Sequence, residues 1–246
     1  MMKTLSIGIT TFKNRLDDVT KQIEQIRNID KNIEIILAIT NNYGNKMEEE
    51  YRKKILQVCI DNDKLYPLMF PKYTGLAKMW NNIVIHSSTS HIFILNDDLD
   101  ITNPMLFNNL RIEIQQHNAV RVNYTFGHFV VSKEAMHEVG YFDERLIAYG
   151  EEDGDFITRY EKFYKKPIIN ISQPGLTNRS KNKFNDSYDN TMDTHKDAWG
   201  GNKPKVNVEI INLKKSQNWE NLNQYPYEKF INDNYHNIGK CEDIIY

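Results

Sequence analysis

Apolar strands and amphipathic helices alternate through the first hundred residues, and that alternation limits the fold more than any other feature. Leu5 to Phe12 is apolar and β-branched and stops at Lys13-Asn14-Arg15, the pattern of a buried strand followed by a turn. Val19, Ile23, Ile26 and Ile29 then recur at helical spacing, giving one buried stripe, with Asp17 or Asp18 placed to cap that helix. A second strand spans Ile33 to Ile39 and ends in the turn-forming tract Thr40-Asn41-Asn42-Tyr43-Gly44. Met47 to Asp61 is charged on one side and carries Tyr51, Ile55, Val58 and Cys59 on the other, a surface helix. Tyr66 to Phe70 forms a short strand, Gly75 to His86 a helix, and His91 to Leu95 a further strand. Such an order predicts an α/β fold, a mostly parallel central sheet flanked by helices on both faces. Ligands of such sheets bind beyond the carboxyl ends of the strands.

The second half is less regular. Pro104 to Gln116 is expected to be helical, Thr125 to Val131 a strand, and Lys133 to Val139 a helix closed by Gly140 in a left-handed cap. Glu152 to Phe163 reads as a helix and Asn207 to Leu213 as a late strand. Asn178 to Lys205 is a long polar tract, and loops of that length inside compact domains are lids or disordered segments. The aromatic tail from Trp219 to Tyr246 is expected to pack on the core as short helices.

Composition removes several function classes. With 40% hydrophobic and 26% charged residues, the chain has the makeup of a soluble globule. A net charge of −2 leaves no basic face of the kind a nucleic-acid partner requires. Cys59 and Cys241 stand far apart without CxxC spacing, which argues against zinc and against a disulfide framework and fits a reducing, cytoplasmic setting. No apolar stretch approaches the roughly 20 residues that cross a bilayer, so any membrane role is peripheral, at the inner face.

Two acidic segments carry the chemistry. The strand Ile92-Phe93-Ile94-Leu95 delivers Asn96, Asp97, Asp98 and Asp100 to its carboxyl end, where clustered carboxylates repel unless a cation meets them. Hard oxygen ligands suit Mg²⁺ or Mn²⁺, while the same residues also suit a solvated Asp-rich turn. The second segment is Glu151-Glu152-Asp153-Gly154-Asp155, where crowding raises carboxylate pKa values toward those of a general base, and where acids also favour a helix's first turn. Asp155 and Arg159, four apart, suit an ordinary helix pair with no catalytic role.

From Ser6 to about Pro174 these pieces stand in a familiar order: Thr10-Thr11-Phe12-Lys13-Asn14-Arg15, Gly75-Leu76-Ala77 with Asn81, Leu95-Asn96-Asp97-Asp98, Gly140-Tyr141-Phe142-Asp143-Glu144, then Glu152-Asp153-Gly154-Asp155-Phe156 with Arg159. In this the chain resembles the inverting GT-A glycosyltransferases of the family 2 type. The resemblance implies a GT-A catalytic domain over residues 1–215, with a nucleotide-binding half of about 1–100, an acceptor-binding half of about 101–215 that includes a mobile loop at 178–205, and a helical, aromatic extension at 216–246. It implies a hexosyltransferase of polysaccharide biosynthesis, with a nucleotide-sugar donor (UDP-sugar favoured) and a saccharide or lipid-linked saccharide acceptor. A homo-oligomer stays open.

The same resemblance implies residue roles. Asn96-Asp97-Asp98 occupies the DxD motif, Asp98 binding the metal and Asp97 facing ribose. Asn96 departs from the motif's first acid but keeps an amide oxygen that can coordinate. Thr10, Thr11 and Phe12 line the nucleobase pocket, Arg15 or Lys78 reaches the diphosphate, and Asn41 stands where relatives keep an acid that reads the base or ribose. Asp153 matches the catalytic base and Glu152 holds the acceptor. Relatives bring a late histidine to the metal, but Ile171-Ser172-Gln173 has none there, so His195 is the replacement. Trp199 either stacks on a sugar or anchors its loop. Two rival readings remain: a sugar nucleotidyltransferase, which would want a glycine-rich phosphate loop after the first strand, and a non-catalytic sugar or nucleotide binder on the same fold.

Overall fold

The computed structural model describes residues 3–12, 15–41, 47–71, 74–146, 150–179 and 205–216. Its elements run β1 (Leu5–Phe12), α1 (Leu16–Ile29), β2 (Ile35–Thr40), α2 (Glu49–Ile60), β3 (Leu65–Met69), α3 (Leu76–His86), β4 (His91–Asn96), β5 (Leu99–Ile101), α4 (Leu106–Glu113), β6 (Ala119–Val122), β7 (Thr125–Ser132), α5 (Lys133–Val139), α6 (Glu152–Tyr164), β8 (Ile169–Ile171), β9 (Leu176–Asn178) and α7 (Lys205–Ser216). Seven strands form one sheet in the order β3-β2-β1-β4-β7-β6-β8, and β5 pairs with β9 in a two-stranded ribbon. Only β7 runs against the others in the large sheet, so it pairs antiparallel with both β4 and β6.

Because strand side chains alternate faces, consecutive apolar residues supply two cores. On one face Ile7, Ile9, Ile35, Leu37, Phe93 and Leu95 meet Val19, Ile23 and Ile26 of α1, Ile55 of α2 and Leu106, Phe107 and Leu110 of α4. On the other, Ile36, Ala38, Ile92, Ile94, Phe129 and Val131 meet α3, α5 and α6 through Trp80, Ile83, Met136, Phe156 and Tyr160. The contact between β1 and α3 depends on Gly8, where an added Cβ would stand 2.3 Å from Ile83 Cγ2. Gly8→Ala should therefore cost about 1–3 kcal/mol through overpacking. The urea midpoint would fall accordingly, and an unshifted midpoint would contradict the close approach.

Three local expectations are corrected. Asn207 to Leu213 is not a strand but part of the helix α7. Its Val and Ile content suggests strand, yet buried Asn207, Ile210, Ile211 and Lys214 recur at helical spacing, and the period outweighs the propensity. Asp17 and Asp18 do not cap α1, which begins after Arg15 without a side-chain cap; Asp18 pairs locally with Arg15 and, across the fold, with Arg179 instead. Gly140 does take a positive φ of 92°, but its ψ of 150° lies outside the left-handed helical region. Most of the 178–205 tract and the 216–246 extension, apart from Ser216 in α7, lie outside the described residues, as does Cys241.

Candidate active site

The chain passes from β1 out to β2 on one side and returns to β4 on the other, so the carboxyl ends of β1 and β4 flank the point where the strand order reverses. There Thr10 stands opposite Asn96 in register. Thr11 Oγ1 donates to Asp97 Oδ2 at 2.7 Å, and Arg15 Nη1 stands 4.0 Å from Asp97 Oδ1 and 3.5 Å from Asp18 Oδ2. The Arg15 guanidinium also lies 5.3 Å over the Phe12 ring. Thr11, Phe12, Arg15 and Asp97 thus form one connected group. Burial pushes the Asp97 carboxyl up to about 7, with Asp98 and Asp18 adding to the rise and Arg15 and Thr11 opposing it. The Tyr51 hydroxyl, which donates to the Phe12 carbonyl at 3.1 Å, is likewise raised by burial and then by the Asp97 charge.

Asn41 is buried directly after β2. Lys78 is exposed on α3, and no hydrogen bond or ion pair among the described residues ties it to Asp97 or Asp98. His128, on β7 opposite Leu95, is buried in the sheet. Gln173, where the resemblance leads one to look for a histidine, is engaged in holding the fold. Its N–H donates to Asn123 Oδ1 at 2.7 Å and its Oε1 accepts from Asn109 Nδ2 at 3.0 Å. His195 and Trp199 lie outside the described residues.

The loop that carries the acids is held by residues that sequence reasoning missed. Along one face of α1, Gln22 Nε2 donates to the Asn96 carbonyl at 2.8 Å, Gln25 bonds Asp100 and the Ile101 amide, and Lys21 pairs with Asp100 at 2.9 Å. Arg179, just after β9, donates to the Asp18 carboxylate at 2.9 Å and to the Leu99 carbonyl at 2.7 Å, and its own amide bonds the Asp98 carbonyl at 2.7 Å. The spacing of Asp18, Gln22 and Gln25 is a polar helical stripe that the sequence does contain; nothing local marks Arg179.

Within this frame Asp98 is only 6% exposed, and its Oδ1 has no hydrogen-bond partner among the described residues. Such an oxygen is costly to bury unless something cationic meets it. The described residues contain no group of three or more His, Cys, Asp or Glu side chains that would hold a metal by themselves. The open oxygen at Asp98 is of the kind that a hard cation such as Mg²⁺ or Mn²⁺ accepts as one ligand among phosphate and water oxygens.

The second acidic segment reaches the same end of the sheet. The start of β7 lies beside the end of β4, Leu95 opposite His128, and Phe126 on β7 packs against Phe156 in the second turn of α6. At its far end α6 places the Tyr164 hydroxyl beside Asn118, just ahead of β6. Glu152 and Asp153, in the first turn of α6, thus sit toward the end of the sheet that carries Asn96 to Asp98. Glu152 is buried, its Oε2 has no partner among the described residues, and burial, then the Asp153 and Glu151 charges, push its carboxyl up to about 7. Asp153 is half-buried and its Oδ1 accepts the Gly154 amide at 2.8 Å. The Asp155–Arg159 pair forms as expected, at 2.8 Å, but it is not an ordinary surface pair: both residues are buried and Lys214 joins them.

No family model and no curated protein matches the chain. Among solved structures it is similar to the mannosyltransferase PcManGT from Pyrobaculum calidifontis in complex with GDP-Man and Mn²⁺, at 11% identity and a TM-score of 0.55 over 71% of this chain and 55% of that one. It is also similar to S. aureus TarS 1–349, at 12% identity and a TM-score of 0.52, covering 70% of this chain and 59% of that one. A third is glucosyl-3-phosphoglycerate synthase from Mycobacterium tuberculosis in complex with Mn²⁺, UDP and phosphoglyceric acid, at 12% identity and a TM-score of 0.53, covering 75% and 72%. The chain thus spans little more than half the length of the first two. The sheet order, the helices on both faces and these likenesses together make this a GT-A glycosyltransferase fold.

Proposed function

We propose that the protein is a metal-dependent glycosyltransferase of the inverting, family 2 type, moving a hexose from a nucleotide diphosphate onto an acceptor hydroxyl. The observation that carries this reading is the convergence of two acidic segments on one end of the sheet, one with an open buried carboxylate oxygen at Asp98 and the other at the head of α6. Residues 1–100 form the donor half, with Thr10, Thr11, Phe12 and Asn41 around base and ribose, Asp97 toward ribose, and Arg15 or Lys78 toward the diphosphate. Residues 101–215 form the acceptor half, with Glu152 and Trp199 on the acceptor and His195 as a further metal ligand. Asn96 and Asp98 would hold Mn²⁺ or Mg²⁺, which would supply neutralisation of the charge that develops on the diphosphate leaving group. Asp153 accepts the proton of the acceptor hydroxyl as that oxygen bonds to the anomeric carbon and the carbon–diphosphate bond breaks. Structural neighbours are recorded with GDP-mannose and with UDP, each with Mn²⁺, which supports a sugar nucleotide as donor.

One observation favours a second assignment of the base. Glu152 has the open oxygen and a pKa near 7, where a general base works best, whereas the Asp153 carboxylate already accepts an amide. The donor is tested by thermal shift with UDP-glucose and GDP-mannose, with Mn²⁺ and with EDTA. A ligand that binds only the folded chain raises its melting temperature, and the rise should require the metal. Equal shifts in Mn²⁺ and EDTA would contradict a metal-bridged donor.

A further inference from the structure

Among the described residues, helix α7 meets the head of α6 through Asn207 and Lys214. Asn207, fully buried, donates from Nδ2 to the Gly150 carbonyl at 2.9 Å. Two turns on, on the same side of the helix, Lys214 is 3% exposed and its Nζ lies 2.5 Å from Asp155 Oδ1 and 2.6 Å from Asp143 Oδ2. Between those points of attachment, Gly150 and Asp155, stand Glu152 and Asp153. The chain enters α6 through successive positive φ values, 100° at Gly150 and 78° at Glu151, and the Glu151 side chain does not cap the helix. Left-handed backbone at a non-glycine residue persists only where the surroundings hold it. Here the surroundings include α7.

We propose that α7 is a positioning element for the acids of α6, with Lys214 and Asn207 as its positioning residues; this rests on the reading that those acids act on the acceptor. Lys214 is not the sole cation for either partner, although after burial, which opposes it, its charge is the leading influence holding the Asp143 carboxyl below the usual carboxylate range. Asp155 keeps Arg159, which also donates to the Val139, Gly140 and Tyr141 carbonyls, and Asp143 keeps Arg145. Replacing a whole buried ion pair by apolar residues is often neutral, whereas removing one partner is costly; the lysine therefore both meets two buried carboxylates and fixes direction, tying α7, α6 and the segment after α5 to one point. A small displacement of a reacting group costs rate far more than it costs ground-state binding.

The test is Lys214→Met, which keeps length and apolar stem and removes the charge. Sugar-nucleotide hydrolysis with Mn²⁺, water standing in for the acceptor, should show kcat lowered about 10- to 100-fold with an unchanged KM for the sugar nucleotide. Lys214→Arg should recover part of the loss, and Asn207→Ala should lower kcat in the same direction by less. Near-native kcat in folded Lys214→Met would overturn the proposal, as would a parallel loss of donor affinity, the mark of general disruption. If Lys214→Met fails to fold, Asn207→Ala decides on the same readouts. A wild-type protein without metal-dependent donor binding or hydrolysis would instead remove the glycosyltransferase reading itself.

Discussion

Asp153→Asn should lower transfer by about 10² to 10⁴ while leaving donor binding intact. The amide preserves size and the hydrogen bond to the Gly154 amide but cannot take a proton, so the loss measures base catalysis and not folding. The neighbouring acids narrow the comparison. Asp155 is committed to Arg159 and Lys214, and Glu151 occupies the left-handed turn ahead of α6. Glu152 is the real rival, since its buried carboxyl has an open oxygen. Glu152→Gln should weaken acceptor use and spare the proton transfer. If instead it abolishes transfer with nucleotide affinity intact while Asp153→Asn stays near native, the base is Glu152. A product that retained the donor's anomeric configuration would count against single displacement from either residue.

The second large effect is expected at Asp98. Asp98→Ala should erase the difference between nucleoside diphosphate affinities measured by calorimetry in Mn²⁺ and in EDTA. Loss of even an outer partner of a metal ligand costs about 10- to 100-fold in metal affinity, so loss of the ligand should cost at least that. Asp97→Asn should do less, because Asp97 is buried against Thr11 and Arg15 and is assigned to ribose. A metal dependence that survives Asp98→Ala would move the ligand role elsewhere in the loop.

The sequence discloses this site unevenly, and the reasons are physical. The β-α alternation through His91–Asn96 is legible because long apolar runs and helical stripes each repeat several times, and because Asn96 to Asp98 follow directly on a buried strand. The ribbon strands β5 and β9 and the edge strand β8 have three residues each, too few to show a period. In α7, β-branched residues argue for strand locally, and only packing reveals the helix. Arg179 and Lys214 are illegible for a shared reason. Each works across a long sequence separation, Arg179 161 residues from Asp18 and Lys214 59 residues from Asp155, and a basic side chain in a polar stretch looks the same whether it is solvated or buried. Asp155 and Arg159 are recognisable as a pair from their spacing, but their burial and third partner come from the fold alone.

Turnover of a sugar nucleotide by this fold with a bound divalent cation is tested most directly by incubating the full chain with UDP-glucose or GDP-mannose and Mn²⁺ and measuring released nucleoside diphosphate. EDTA and Asp153→Asn serve as paired controls. Release should require the metal and fall at least about 100-fold in Asp153→Asn. Tight, metal-dependent nucleotide binding with no release from any donor would contradict turnover and leave a binding protein on an enzyme's fold.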